Sequence, residues 1–171
     1  MAKSNSGKIV ALIGGVLALI AVLIGLIPSD ISWWYAHEST SNQDWFLNAF
    51  GFFTDANGTE FMDDYLILVG GLIFLGGSAL IIYGGVKEQK AIAILSGILM
   101  IVGLVVFCVA LNANEDWESI ESILDFLNSD YTVFFGEQDI FFWHFRWGLG
   151  IGFYLAAVGA GIGTIGAFIM D

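Results

Sequence analysis

The side chains best suited to chemistry are few and widely separated. The two histidines are His37 and His144. His37 precedes Glu38, and an imidazole beside a carboxylate supplies two donor types that zinc accepts. A zinc site needs further ligands at set spacings, and no C-x-x-C, H-x-x-x-H or H-E-x-x-H pattern accompanies them. The run Asp55-Ala56-Asn57-Gly58-Thr59-Glu60 clusters oxygen donors, yet its Gly is out of place for an EF-hand and no distal Glu stands in register. Turn chemistry explains this run without a cation. Cys108 is the lone cysteine, so no intrachain disulfide forms. Neither a phosphate-binding loop nor a dinucleotide fingerprint is present. The expectation is a protein that is not an enzyme and has no catalytic residue, cofactor or metal site. Asn57-Gly58-Thr59 is also an N-glycosylation sequon.

The elements that carry these residues are dominated by lipid-like composition. Of 171 residues, 57% are hydrophobic and 13% charged, too few charges to solvate a soluble domain of this size. Four runs, Ile9 to Pro28, Leu66 to Val86, Ala91 to Leu111 and Trp147 to Met170, contain no charged residue. Each reaches the ~20 residues that cross ~30 Å of hydrocarbon as a helix. Lipid requires every backbone group to be satisfied internally, and strand-like alternation is absent, so helices are expected rather than a barrel. The first run exceeds a signal-peptide core and lacks an A-x-A-like cleavage site, so it reads as a retained span. The expected fold class is an all-α membrane protein, a left-handed bundle of four transmembrane helices with a small extracellular β-hairpin or sheet. One domain, 1–171, has spans at about 9–28, 66–86, 91–111 and 147–170 and outer loops at 29–65 and 112–146.

Charge orients the bundle. Lys3, Lys8, Lys87 and Lys90 fall on one side, which the positive-inside bias makes cytoplasmic. Both termini are therefore expected in the cytoplasm of a multi-pass protein of the cell membrane. The outer loops hold most of the acidic residues, among them Asp44, Glu60, Glu118 and Glu137, and Arg146 is the basic residue near that face. The net charge of −12 argues against nucleic acid as a partner.

Small residues mark helix contacts. Gly70, Gly77 and Gly84 recur every seven residues, as do Gly152, Gly159 and Gly166; Gly103 lies between Ser96 and Ala110, and Gly14 lies in a run of Ala and Gly. This period suits left-handed crossings in which small side chains let backbones approach. Gly159 and Gly163 also form GxxxG, read as packing within the chain. Trp33, Trp34 and Tyr35, with Phe141, Phe142, Trp143, Phe145 and Trp147, are expected at the outer headgroup level as an aromatic belt. Arg146 among them snorkels or pairs with a loop carboxylate. In the first loop, Phe50 to Thr54, the Asn57-Gly58 turn signal and Thr59 to Phe61 predict a hairpin. In the second, Trp117, Ile120, Leu124 and Leu127 predict an amphipathic helix capped by Asn114, and Tyr131 to Phe135 a further strand.

This arrangement resembles the claudin-like superfamily, the claudins and the peripheral myelin protein group. Trp33 or Trp34 stands where that family has a Trp soon after span one. Gly51-Phe52-Phe53 is an aromatic variant of its Gly-Leu-Trp motif, and Gly152-Phe153-Tyr154-Leu155-Ala156 resembles its entry to span four. The family's first-loop cysteine pair is missing, and Asp64 and Tyr65 replace a basic residue before span two. The resemblance implies lateral self-assembly, adhesion or a barrier role through the extracellular loops, with Trp33, Trp34, Gly51, Phe52 and Phe53 as loop scaffold. The partners expected are the lipid bilayer and further copies or other membrane proteins. Two alternatives are an accessory subunit of a larger channel or enzyme complex, and a cation pore formed by oligomerisation. The apolar spans supply no polar lining for the latter.

Overall fold

The computed structural model describes residues 5–62, 64–114, 132–140 and 142–170. Helix α1 runs over Ser6–Ile24, α2 over Tyr65–Val86, α3 over Lys90–Asn112 and α4 over Ile151–Phe168; all four are long and apolar enough to cross a membrane. Their starts have local causes. The Asp64 carboxylate accepts the Leu66 and Ile67 amides at 2.9 and 3.4 Å, satisfying two of the donors a helix leaves open at α2's first turn. Helix α4 begins directly after a strand. Its first donors go to the segment that follows α1, Ile151 N–H to Asp30 O at 3.0 Å and Gly152 N–H to Ile31 O at 3.1 Å. Between α2 and α3 the chain reverses through Lys87, Glu88 and Gln89. Glu88 adopts a left-handed φ of 56° there, and its carboxylate receives Lys8 Nζ at 3.0 Å.

The helices pair as α1 with α4 and α2 with α3, and small residues line both seams. A Cβ on Gly14 would sit 2.1 Å from the Gly163 amide nitrogen, one on Gly159 2.6 Å from that of Ala18, and one on Gly166 2.2 Å from that of Ala11. Across the other seam, Gly70 abuts Phe107, Gly77 abuts Met100, Gly84 abuts Ala93 and Gly103 abuts Phe74, all at backbone contact. Much of the buried helix surface is thus Gly and Ala. The outward faces carry the bulk, including Leu72, Val105, Val158 and Ile165. A soluble bundle has the opposite distribution, because it buries its large apolar side chains.

The all-α expectation is corrected: the chain is a mixed helix-and-sheet protein. Strands β1 (Trp34–Glu38), β2 (Gln43–Leu47), β3 (Phe52–Asp55) and β4 (Gly58–Phe61) come from the segment between α1 and α2, and β5 (Phe135–Ile140) and β6 (Trp143–Leu149) precede α4. Together they form one six-stranded antiparallel sheet in the order β4-β3-β2-β1-β6-β5. The expected hairpin is its β3–β4 corner. Its centre is β1, which pairs Trp34 with Leu47 on one side and with Leu149 on the other.

Two boundaries move accordingly. Residues 147–149, apolar enough to read as the start of a span, are β6 backbone bonded to β1, so the fourth helix starts at Ile151. The strand expected at Tyr131 to Phe135 instead begins at Phe135, after an isolated bridge from Thr132 to Phe135. The amphipathic helix around Trp117 to Leu127 lies outside the described residues.

Trp33 joins sheet to bundle. Its side chain is fully buried among Phe74, Phe107 and Phe153, with ring centroids at 5.3, 5.0 and 5.8 Å. Its backbone bridges β2 and the start of α4, donating to Leu47 O at 3.0 Å and accepting from Gly150 at 2.9 Å. Trp33 is therefore core and not part of an interfacial belt. Trp34 and Trp147 are buried with it.

Candidate functional site

Strand alternation divides the sheet into two unlike faces. On one, Asp44, His37, Arg146 and Glu137 stand in register across β2, β1, β6 and β5, forming a row of charged and titratable groups. The His37 Nδ1 lies 2.5 Å from Asp44 Oδ1, and the Arg146 guanidinium lies 5.9 Å from the centre of the Tyr35 ring. The next rank holds His144 opposite Asp139. His144 Nδ1 meets Asp139 at 2.6 Å and its Nε2 meets Glu137 at 3.0 Å. A neutral imidazole carries one N–H, so only the imidazolium donates to both carboxylates. The His144 pKa is accordingly raised, first by the Asp139 hydrogen bond, with both carboxylate charges adding to this against desolvation and Arg146.

The opposite face holds Trp34 and Glu38 of β1, Trp45 and Leu47 of β2, and Phe145 and Trp147 of β6, following the same registers. The Trp34 and Trp147 indoles each donate at 2.8 Å, to Val133 O and Thr132 O, so the segment leading into β5 is fastened over this face. Trp45 stacks on Phe145 with centroids 6.4 Å apart.

Glu38 organises the β1–β2 turn. Its carboxylate accepts the Thr40 amide at 2.6 Å, the Ser41 amide at 2.7 Å and the Ser41 hydroxyl. The turn folds over the side chain and nearly covers it. That local desolvation would raise its pKa, but the hydrogen bonds from Ser41 and Thr40 outweigh it and hold the group at about 2. At the β3–β4 turn, Asp55 accepts Asn57 N at 2.7 Å, Asn57 Nδ2 at 3.0 Å and Gly58 N at 3.2 Å, which lowers its pKa, first through the Asn57 amide. An Asp opening a turn that Gly closes is common turn chemistry, and Gly58 supplies a φ of 138°. These oxygens are thus engaged by the chain's own donors.

The remaining sequence candidates fall in different places. Gly51 has a φ of 80° in the bend before β3, beside Ile67 of α2. Phe52 is exposed and rests on Phe61, while Phe53 packs partly buried on the other face. Gly152 abuts the chain at Ile31 and Trp33 rather than a neighbouring helix. Asn57 is exposed at its turn. Of the aromatics expected at the headgroup level, Phe142 is 89% exposed and Trp143 53%, at the tip of the β5–β6 hairpin. Strand β6 spans seven residues, so that tip lies about 20 Å along the strand from the start of α4. Arg146 lies over Tyr35 beside the carboxylate row.

Two features escaped sequence reasoning. The Glu38 turn had a signal in Ser39, Thr40, Ser41 and Asn42, residues that favour side-chain-to-backbone turns. Glu137, Asp139 and His144 show only alternate spacing followed by a reversal, which becomes a cluster once the hairpin register is known. Both His144 nitrogens face carboxylates rather than a hydroxyl or thiol to activate. Among the described residues, no group of three or more His, Cys, Asp or Glu could hold a metal.

No protein-family model matches the chain, and no curated protein matches it.

Proposed function

We propose that this chain is a non-enzymatic multi-pass protein of the cell membrane. Its four helices cross the bilayer with both termini cytoplasmic, and its sheet lies outside, making lateral, adhesive or barrier contacts with further copies or other membrane proteins. The observation that carries this reading is the joining of two unlike parts. A bundle with Gly and Ala inside and Ile, Leu and Val outside suits lipid as solvent. A six-stranded sheet fixed to it through Trp33 presents a face with a row of charged and titratable groups, Asp44, His37, Arg146 and Glu137. Lys8, Lys87 and Lys90 lie at the opposite end of the bundle, as the positive-inside bias requires. Seven-residue steps on both α2 and α3, from Gly70 to Gly84 against Phe107 to Ala93, support a left-handed crossing.

A claudin-like relationship remains part of the proposal. It is supported by the burial of the first-loop Trp33 and by the position of Gly51-Phe52-Phe53 at the entry to β3. The accessory-subunit reading has one observation in its favour. Gly76 on α2 and Gly161 on α4 face outward with no atom within 4 Å of an added Cβ, leaving room for a partner helix.

Composition and size of the particle extracted in mild detergent test the proposal. A homogeneous assembly of this chain alone supports self-association, whereas stoichiometric foreign subunits support the accessory role. A monomer with a specific catalytic turnover contradicts both.

A further inference from the structure

We propose that Asn57 is the acceptor of an N-linked glycan. The inference rests on the orientation proposed above, which puts the sheet outside. Asn57-Gly58-Thr59 is the acceptor motif, and the structure places it at the β3–β4 turn with all three residues exposed. The turn is open: a Cβ built on Gly58 meets nothing within 4 Å. Thr59 is exposed as well, its hydroxyl sharing a 2.9 Å hydrogen bond with Thr54 that a transferase could displace at the surface.

The chemistry is a substitution at an anomeric carbon, with a lipid-linked oligosaccharide phosphate as donor and a membrane oligosaccharyltransferase as catalyst. Asn57 Nδ2 forms the new bond to the sugar C1, the C1–O bond to the donor phosphate breaks, and its electron pair leaves with the lipid phosphate. Nδ2 gives up one proton to a base of the transferase, and no oxidation state changes. The remaining N–H still donates to Asp55 Oδ2, which it reaches at 3.0 Å, so the turn survives modification. The glycan would stand beside β4, the edge strand of the sheet. Open edges template unwanted pairing, and a bulky hydrophilic group there blocks it. Association through the sheet would then use its faces or the β5 side.

The test is the mass of the Asn57-containing peptide from the full chain purified from membranes of its native host. The expected result is a sugar-series increment that is lost in Asn57→Gln and Thr59→Ala and kept in Thr59→Ser. The Thr59→Ser variant retains the cross-strand hydroxyl and serves as the folding control. In parallel, Glu60→Cys in a Cys108→Ala background is treated on intact cells with a membrane-impermeant thiol reagent. A bare Asn57 with Glu60→Cys labelled overturns the glycan and leaves the orientation standing. A bare Asn57 with Glu60→Cys protected overturns both.

Discussion

The Trp33 indole stands edge-on to the Phe74 ring, with centroids 5.3 Å apart and planes at 84°. One residue from the α1–β1 connection is thus seated among rings from α2, α3 and α4. Edge-on aromatic pairs contribute roughly 0.5–1.5 kcal/mol beyond the area they bury. Trp33→Ala should therefore lower stability in a detergent thermal-unfolding assay by about 3–5 kcal/mol, the usual range for emptying a large aromatic site. Trp143→Ala, at the exposed tip, should fall within ~0.5 kcal/mol of the parent. Equal effects would remove Trp33 from its role as the link between sheet and bundle.

The α1–α4 seam and the outward face of α4 predict opposite outcomes for glycines on one helix. Gly159→Leu must displace the Ala18 backbone and should cost about 1–3 kcal/mol or more. Gly161→Ala, with open space around it, should be neutral or gain up to ~1 kcal/mol from helix propensity. Ile162 is half-buried, so the exposed Ile165, changed to Leu, is the better neutral control. Midpoints of thermal unfolding in one detergent check all three.

Much of this architecture is legible in the sequence, and the gaps have physical causes. Hydropathy and length placed α1, α2 and α3 within a few residues. The β3–β4 hairpin was readable from Asp55 to Gly58 because turn chemistry is local. Strands β1, β2, β5 and β6 were not. The bonds from Trp34 to Leu149 join residues more than a hundred positions apart, and no local pattern encodes them. Residues 147–149 are as apolar as a span, so hydropathy cannot distinguish a buried strand from the helix it leads into. The aromatics near the helix ends read in the sequence as a lipid belt. Trp33 is buried instead among rings of α2, α3 and α4, and Trp34 and Trp147 are buried where the segment leading into β5 is fastened over the sheet.

His144 predicts a pH dependence in the β5–β6 hairpin. Its pKa is raised above the ordinary 6.5, so its contribution is complete below that value and is lost as pH climbs through the folded pKa. Amide exchange in β5 and β6 should quicken at alkaline pH relative to β1 and β2. Asp139→Asn should bring the His144 titration, followed by its ring proton resonance, back toward 6.5. An unchanged titration would show that the contact to Asp139 is not made in solution.

Glu38 acts with the opposite sign. Its carboxylate is held at about 2 against an ordinary 4.5, so its support for the β1–β2 turn is present above 4.5 and lost as pH falls through 2. Glu38→Gln keeps the shape but removes the charge. It should speed exchange of the Thr40 and Ser41 amides at neutral pH while leaving the overall fold intact. Exchange as slow as in the parent would mean that the charge does not hold the turn.

The proposed topology puts the sheet outside a bilayer that the helices cross. Single cysteines report this directly when read on intact cells with a membrane-impermeant thiol reagent in a Cys108→Ala background. Ala56→Cys, exposed at the β3–β4 turn, and Ser6→Cys, at the start of α1, are informative positions. The proposed topology predicts labelling at 56 and protection at 6 until the cells are permeabilised. Labelling at 6 with protection at 56, or recovery of the chain in the soluble fraction, would contradict it.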